Sequence, residues 1–404
     1  MSRRRFFWPK RGLALAALVL CFAGAPQAGF AAAQNIRVLV ADGRTTLRVA
    51  GSDGLTITDG TGQRILAQRG SGQAFRLLLQ GNTVLIREAG ASAPALMVWP
   101  GRSARVDLDG QVFRGRLEVR RLNGGLAAVN VVDLEEYLQG VLKDEIPAGW
   151  PAEAAKAMAV AARTYAVYQV QQNPGAFFHL RATTSSQVYG GATGEDVRTS
   201  WAVQATRGQI LTFGGQPIST FYHACSGGAT EDAMDVFGPN FDMVIGVRDD
   251  FSLGCPYALW IERIPAPQVE RALGRAGYSI GRLVRLEDLL RSRTGRILRL
   301  AVQHTRGTLI LEGKRFREVL GNDLIRSTDF EIRADADGFT FVGRGWGHGV
   351  GLSQWGAKQM ADLAYQHRDI LKFYYPLAEI GSLGLDGLAR QQPQAFESSG
   401  VRKF

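Results

Sequence analysis

The hydrophobic period of this chain changes abruptly at Asp133, and no other feature limits its possible folds as strongly. Upstream, apolar and β-branched residues come in short runs such as Ile36-Arg-Val-Leu-Val40 and Leu55-Thr-Ile-Thr58. Asp-Gly and Gly-Ser-Gly clusters separate them, the pattern of antiparallel strands joined by tight turns. Leu117 to Val132 reads as a further strand pair turning at Asn123-Gly124-Gly125. Downstream, from Asp133 to Gln172, apolar residues recur at the helical period instead. After a polar loop, strand and turn signals return. The spacing predicts a helical insertion over Leu259 to Arg293, flanked by Pro265 and Pro267, then strands from Leu298 to Phe341 and a last helix near Ser353. No internal repeat of fixed period is present. The expected class is α+β: a β-rich N-terminal portion over 34–117, a mixed α/β domain over 118–383 with a helical insertion, and a polar tail over 384–404.

Residues 1–33 read separately. Arg3, Arg4, Arg5, Lys10 and Arg11 precede an apolar run from Gly12 to Ala25, and small residues follow to Ala31-Ala32-Ala33. This is the layout of a secretory signal peptide, with an apolar core too short to span a bilayer comfortably and cleavage expected near Gln34. No other stretch is apolar and long enough for a transmembrane helix. The segment carries five of the basic residues and no acidic one, so its loss takes the net charge from +10 to +5. A modest basic balance suits an anionic envelope polymer, and no nucleic-acid motif argues for nucleic acid. The expected location is exported, in the periplasm or cell envelope. Cys21 would leave with the leader, and Cys225 and Cys255 would remain.

The first helix after Asp133 carries a carboxylate in an unusual place. Asp133 is a good N-cap, Glu136 completes a capping-box-like pair, and Pro147 ends the helix. At about 100° per residue, Leu134, Leu138 and Val141 form one stripe with Glu145 at its centre, while Lys143 points away. A carboxyl that continues an apolar stripe is partly desolvated, which raises its pKa and suits a general acid. A frayed helix end or a structural ion pair is the competing reading. Trp150-Pro151 starts a second helix with Ala154, Met158, Ala161, Tyr165 and Tyr168 on its apolar face. Arg163 lies off that face, either to orient Glu145 or bind substrate, or as part of a solvated basic face.

Two later segments bear other candidates. Gly343-Arg-Gly-Trp-Gly-His-Gly-Val-Gly351 places glycine at every second position, so an extended chain would present one bare face for close approach. Arg344, Trp346 and His348 would line the other. The segment lacks the Walker and dinucleotide spacings, so nucleotide binding is not expected. Trp346 and Trp355 either face sugar rings or belong to the core, and His348 is a base, a hydrogen-bonder or a structural histidine. Around His223-Ala-Cys-Ser-Gly-Gly228 three readings stand: a Cys225–Cys255 disulfide in an exported chain, zinc held by His223 and the cysteines with no evident fourth ligand, or a Cys225 or Ser226 nucleophile outside any Gly-x-Ser-x-Gly elbow.

Several motifs, in order, resemble the SpoIID/LytB family, the sporulation protein D and amidase-enhancer group. They are Val131-Val-Asp-Leu-Glu-Glu-Tyr-Leu-Gln-Gly-Val141, Glu145-Ile-Pro147, Trp150-Pro151 and Ala161-Ala-Arg-Thr-Tyr165, then Ser186-Gln-Val-Tyr-Gly190, Ser226-Gly-Gly228 and Gly345-Trp-Gly-His-Gly-Val-Gly-Leu-Ser-Gln-Trp-Gly-Ala357, closing with Phe373-Tyr-Tyr-Pro376. The resemblance implies a SpoIID-type catalytic domain and a lytic transglycosylase that cleaves peptidoglycan glycan strands, peptide-free in the sporulation members, to 1,6-anhydromuramyl products. It makes Glu145 the catalytic acid and base. Arg163, Gln187, Tyr189, Ser226, His348 and Gln354 occupy matching motifs and are carried over as pocket-lining residues. No cofactor is expected. Some sporulation members hold zinc through cysteines ahead of the Gln-x-Tyr motif; here His179 to Ser186 contains none, so that metal is not expected. The alternative from another class is a non-catalytic glycan-binding protein that stimulates a cell-wall amidase.

Overall fold

Asn123 and Gly124 both adopt positive φ, 48° and 87°, and turn strand Arg116–Leu122 back into strand Gly125–Val132. In the computed structural model, which describes residues 35–383, this hairpin is the seam between the two halves of the molecule. The segments over 1–33 and 384–404, expected to be a leader and a tail, lie outside the described residues. Every residue of Gly125–Val132 is buried, because both of its faces are covered. Leu126, Ala128 and Val132 point into the main core, and Ala127, Val129 and Val131 pack on the other side with Leu39, Phe177 and Phe178. Such two-sided burial explains why this strand reads as a continuous apolar run rather than an alternation.

The hairpin sits inside a seven-stranded sheet whose order is Leu180–Arg181, Ile36–Arg44, Gly125–Val132, Arg116–Leu122, Ala95–Pro100, Leu55–Asp59 and Ile65–Arg69. A six-stranded sheet built from residues between Thr46 and Arg114 packs against it across the same core. The core continues unbroken into helices α1 (Leu134–Glu145) and α2 (Ala152–Gln172) through Leu138, Val141, Met158 and Ala161. The boundary expected at 117/118 therefore falls within a strand, and one sheet runs across it.

A second core is separate. It gathers Trp260, Ile264, Leu273, Leu300, Phe316, Phe330 and Phe341 among others. The insertion expected to be helical over 259–293 is mostly strand. Only Ala266–Arg275 is helix; Trp260–Pro265 and Leu283–Arg291 are strands of two different three-stranded sheets. The prolines misled: Pro265 ends a strand and serves as the N-cap, with Pro267 in the first turn, so they start a short helix rather than flank a long one.

The alternating glycines do not run as an extended strand either. Gly345, Gly347, Gly349 and Gly351 all have positive φ, from 68° to 114°, so the segment coils. Its bare positions do admit close neighbours: a side chain on Gly347 would strike His223, and one on Gly349 would strike the Arg296 guanidinium. No helix among the described residues is long and apolar enough to cross a membrane.

Candidate active site

Asp133 caps α1 by accepting the N–H groups of Glu135 at 2.9 Å and Glu136 at 3.3 Å. Glu136 faces Arg114 at 3.8 Å, so the expected capping box is only half formed. Leu134, Leu138 and Val141 are buried along the stripe, and Glu145, the last residue of α1, continues it half-buried. Its Oε1 accepts the Val188 N–H at 2.9 Å, and the Tyr222 hydroxyl and the Gln354 side chain lie beside it and favour its charged form. Among the described residues it has no ion pair. Loss of solvent dominates and lifts its pKa to about 7, with the Val188 N–H and the neighbouring Tyr222 and Gln354 side chains pulling the other way.

A buried layer holds this carboxyl from behind. Gln187 is fully buried; its amide oxygen accepts the Tyr137 hydroxyl at 2.9 Å. Its NH2 donates to the Ala162 carbonyl at 3.2 Å and to the Tyr222 oxygen at 3.1 Å. Because the Tyr222 oxygen is already an acceptor, its own proton is left for Glu145. The Tyr189 hydroxyl donates to Asn130 Oδ1 at 2.8 Å, and its ring lies 4.9 Å from that of Tyr137. Tyr165, half-buried on α2, bonds Ser186. Tyr222 reaches the site through a short parallel pairing of Tyr222–His223 with Leu352–Ser353, which also delivers Gln354 at the start of helix Gln354–Asp362. Beside Gln354, Trp355 meets Trp150 edge to face at 5.2 Å, both rings half-buried.

Comparison with known proteins decides the family. A family model described as "Stage II sporulation protein" matches residues 122–213. An uncharacterized protein of Brachyspira hyodysenteriae is 33% identical over 271 residues, 66% of this chain and 72% of that protein. Stage II sporulation protein D of Bacillus subtilis is 30% identical over 275 residues, 63% of this chain and 76% of its own length. The chain belongs to the SpoIID family. The amidase enhancer of Bacillus subtilis is 26% identical over 321 residues, and the chain spans 44% of its length. A second model, described only as a domain of unknown function, matches residues 259–351, the stretch that contains the second core.

The matched SpoIID segment carries Glu145, Gln187 and Tyr189, whereas Tyr222 and Gln354 come from beyond it. Of the residues expected around the pocket, Gln354 lies beside Glu145, and Gln187 and Tyr189 are buried in the layer behind it. Arg163 is neither oriented toward Glu145 nor part of a solvated basic face. Its side chain is 0% exposed, and its fork pairs with Glu135 at 2.8 Å on both oxygens, with backbone carbonyls of Val203 and Gln209 taking the remainder. The helical period put Arg163 off the apolar face but not against the other buried acid. Ser226 is also buried away from the site, donating to Asp249 at 2.8 Å and contacting Ser252 at 2.6 Å. Among the described residues no histidine bonds its hydroxyl, whose neighbours are the buried Asp249 carboxylate and Ser252. Cys225 and Cys255 form a disulfide, with Cα atoms 6.8 Å apart. His348 Nδ1 accepts the Val350 N–H at 3.0 Å, and burial holds its pKa down to about 3, so the ring is neutral. Tyr222 was the missed residue. The signal was present in Phe221-Tyr-His223: in an extended run neighbours point to opposite faces, so Tyr222 points away from the His223 side.

Proposed function

We propose that the protein is a peptidoglycan lytic transglycosylase that cleaves the bond between N-acetylmuramic acid and N-acetylglucosamine, most readily in peptide-free strands. The observation that carries this reading is a single carboxyl that ends an apolar helical stripe, accepts the Val188 N–H and has no cationic partner among the described residues; loss of solvent raises its pKa to about 7, which suits a general acid. Protonated Glu145 donates to the glycosidic oxygen as the muramic C1–O bond breaks. The muramic C6 hydroxyl then adds to C1 while the Glu145 carboxylate takes its proton, which closes a 1,6-anhydro ring and restores the acid. Water is not a reactant, so no second carboxylate is needed, in contrast to the paired-carboxylate hydrolases. Tyr222 and Gln354 hold the carboxyl through both states, and the Trp150 and Trp355 rings offer flat apolar surface for sugars beside it. The signal-peptide-like leader and the family's relatives support action at the cell wall outside the cytoplasm.

Digestion of peptide-free glycan strands with purified protein tests this. Wild type is expected to release 1,6-anhydromuramyl products and Glu145→Gln to release them at least a hundredfold more slowly. Equal turnover by the variant sinks the assignment of Glu145. The likeness to an amidase enhancer favours a second reading, a binding protein for a cell-wall amidase. Glycan binding without product, together with faster cleavage by an added amidase, would select it.

A further inference from the structure

A cavity of about 510 Å³ lies between the two cores, and Glu145 is not among its lining residues. The Phe237 segment and His348 form one side, and residues of the second core form the other, from Arg296 to Arg299 and from Glu312 to Arg317. Its charge is unbalanced: Arg296, Arg299, Lys314 and Arg317 line it against only Asp235 and Glu312. None of these four cations is ion-paired among the described residues. Arg296 is 1% exposed; its Nη2 donates to the Ser226 carbonyl at 2.7 Å, while Nη1 has no partner. A buried cationic N–H without an acceptor is costly, and native proteins seldom leave one unless something fills the place. The fold is shaped around this arginine, because Gly349 is bare where the guanidinium lies. Arg317 uses Nε on the Ile325 carbonyl at 2.8 Å, and the Lys314 ammonium stands 4.9 Å over the Phe237 ring. His348 Nδ1 is already taken by the Val350 N–H.

We propose that this cavity is a carboxylate-binding site, with Arg296 at its floor and Arg317 and Lys314 on its wall. A planar two-oxygen anion matches guanidinium donors, and a carboxylate offsets part of the net excess of two positive charges left by four cations and two carboxylates. Two sources share that chemistry: a sugar acid, such as a muramic residue whose lactyl carboxylate is free, and the carboxyl end of a peptide. The site itself stands apart from the chemistry at Glu145; assigning it to the glycan rests on the transglycosylase reading.

The test is an NMR titration of the full chain, following the arginine Nε–H and His348 ring signals. The probes are N-acetylmuramic acid, N-acetylglucosamine, which lacks the carboxylate, and D-alanyl-D-alanine. Saturable shifts with N-acetylmuramic acid and none with N-acetylglucosamine are expected. A Lys314→Gln, Arg317→Gln double variant, which spares the buried arginine, should bind at least tenfold more weakly. Response to the dipeptide alone keeps the site but overturns its assignment to glycan. Equal response to both sugars, no response to either carboxylate, or unchanged affinity in the double variant overturns the site. Anhydro-product release is measured in parallel. Shifts without product leave the site standing and fail the transglycosylase reading, and product without shifts does the reverse.

Discussion

Glu135 and Glu145 begin and end the same helix, and their fates differ. Glu135 is 3% exposed and held in a two-bond fork by a fully buried Arg163. Glu145 is half-buried, meets only neutral donors, and has its pKa raised to about 7. The first arrangement fixes a charge in place and ties α1 to α2. The second leaves a proton available. Burial alone therefore does not make an acid; burial without a cation does. The apolar stripe in the chain marks Glu145 alone; Glu135 is buried as well, and the partner distinguishes the support from the candidate acid.

The largest expected effect of breaking this contrast is at Glu145. Glu145→Gln keeps the shape and the Val188 bond but removes the transferable proton, and turnover should fall by roughly 10²–10⁴-fold, read as 1,6-anhydro product. The same change at Glu135 should act on stability instead. Removing either partner strands a buried charge, so Arg163→Met or Glu135→Gln should cost about 3–5 kcal/mol in denaturant unfolding, and the double variant should recover part of that loss. If the Glu135 variant folds normally yet loses turnover, the division of roles is wrong.

The next effect is smaller and has a definite sign. Glu145 binds its proton more tightly folded than unfolded, because its pKa rises from 4.5 to about 7. Its contribution to stability is thus fully present below pH 4.5 and is lost as pH climbs to 7, at a slope of about 1.4 kcal/mol per unit. Glu145→Gln should remove that slope and make the protein more stable than wild type at pH 8, by on the order of 2–3 kcal/mol. Unfolding curves at pH 5 and pH 8 measure it, and identical pH dependence in the two proteins would contradict a raised carboxyl. Catalysis should report the same group: kcat/KM is expected to fall as pH rises past about 7, where the acid is deprotonated. Tyr222→Phe should have the smallest effect. Its hydroxyl favours the charged carboxylate, so its loss should move the basic limb of that profile to higher pH with only a few-fold loss of rate. A limb that stays in place would show that Tyr222 does not touch the carboxyl in solution.

The strands before Asp133, the hairpin at Asn123-Gly124, both helices and the Glu145 stripe were legible in the chain because each depends on neighbours within a few residues. The stripe of Leu134, Leu138 and Val141 put Glu145 on a buried face before any partner was known. What failed were readings that needed distant contacts. The insertion over 259–293 looked helical because short strands with exposed apolar residues, such as Val284 and Leu289, do not alternate cleanly. The glycine stretch was read as extended, although four of its glycines have positive φ that close packing against His223 and Arg296 exploits.

By itself the sequence determined the order of elements, the face on which Glu145 lies and the motifs that identify the SpoIID family, since period, caps and motif spacing are local properties of a chain. Tertiary structure alone decided that Arg163 answers Glu135 and not Glu145, that Tyr222 and Gln354 complete the site from far down the chain, and that Arg296 is buried at the floor of a cavity with a free N–H. The physical reason is that a charge or a proton takes its character from whatever lies within a few ångströms, and here those neighbours are often tens to hundreds of residues away in sequence.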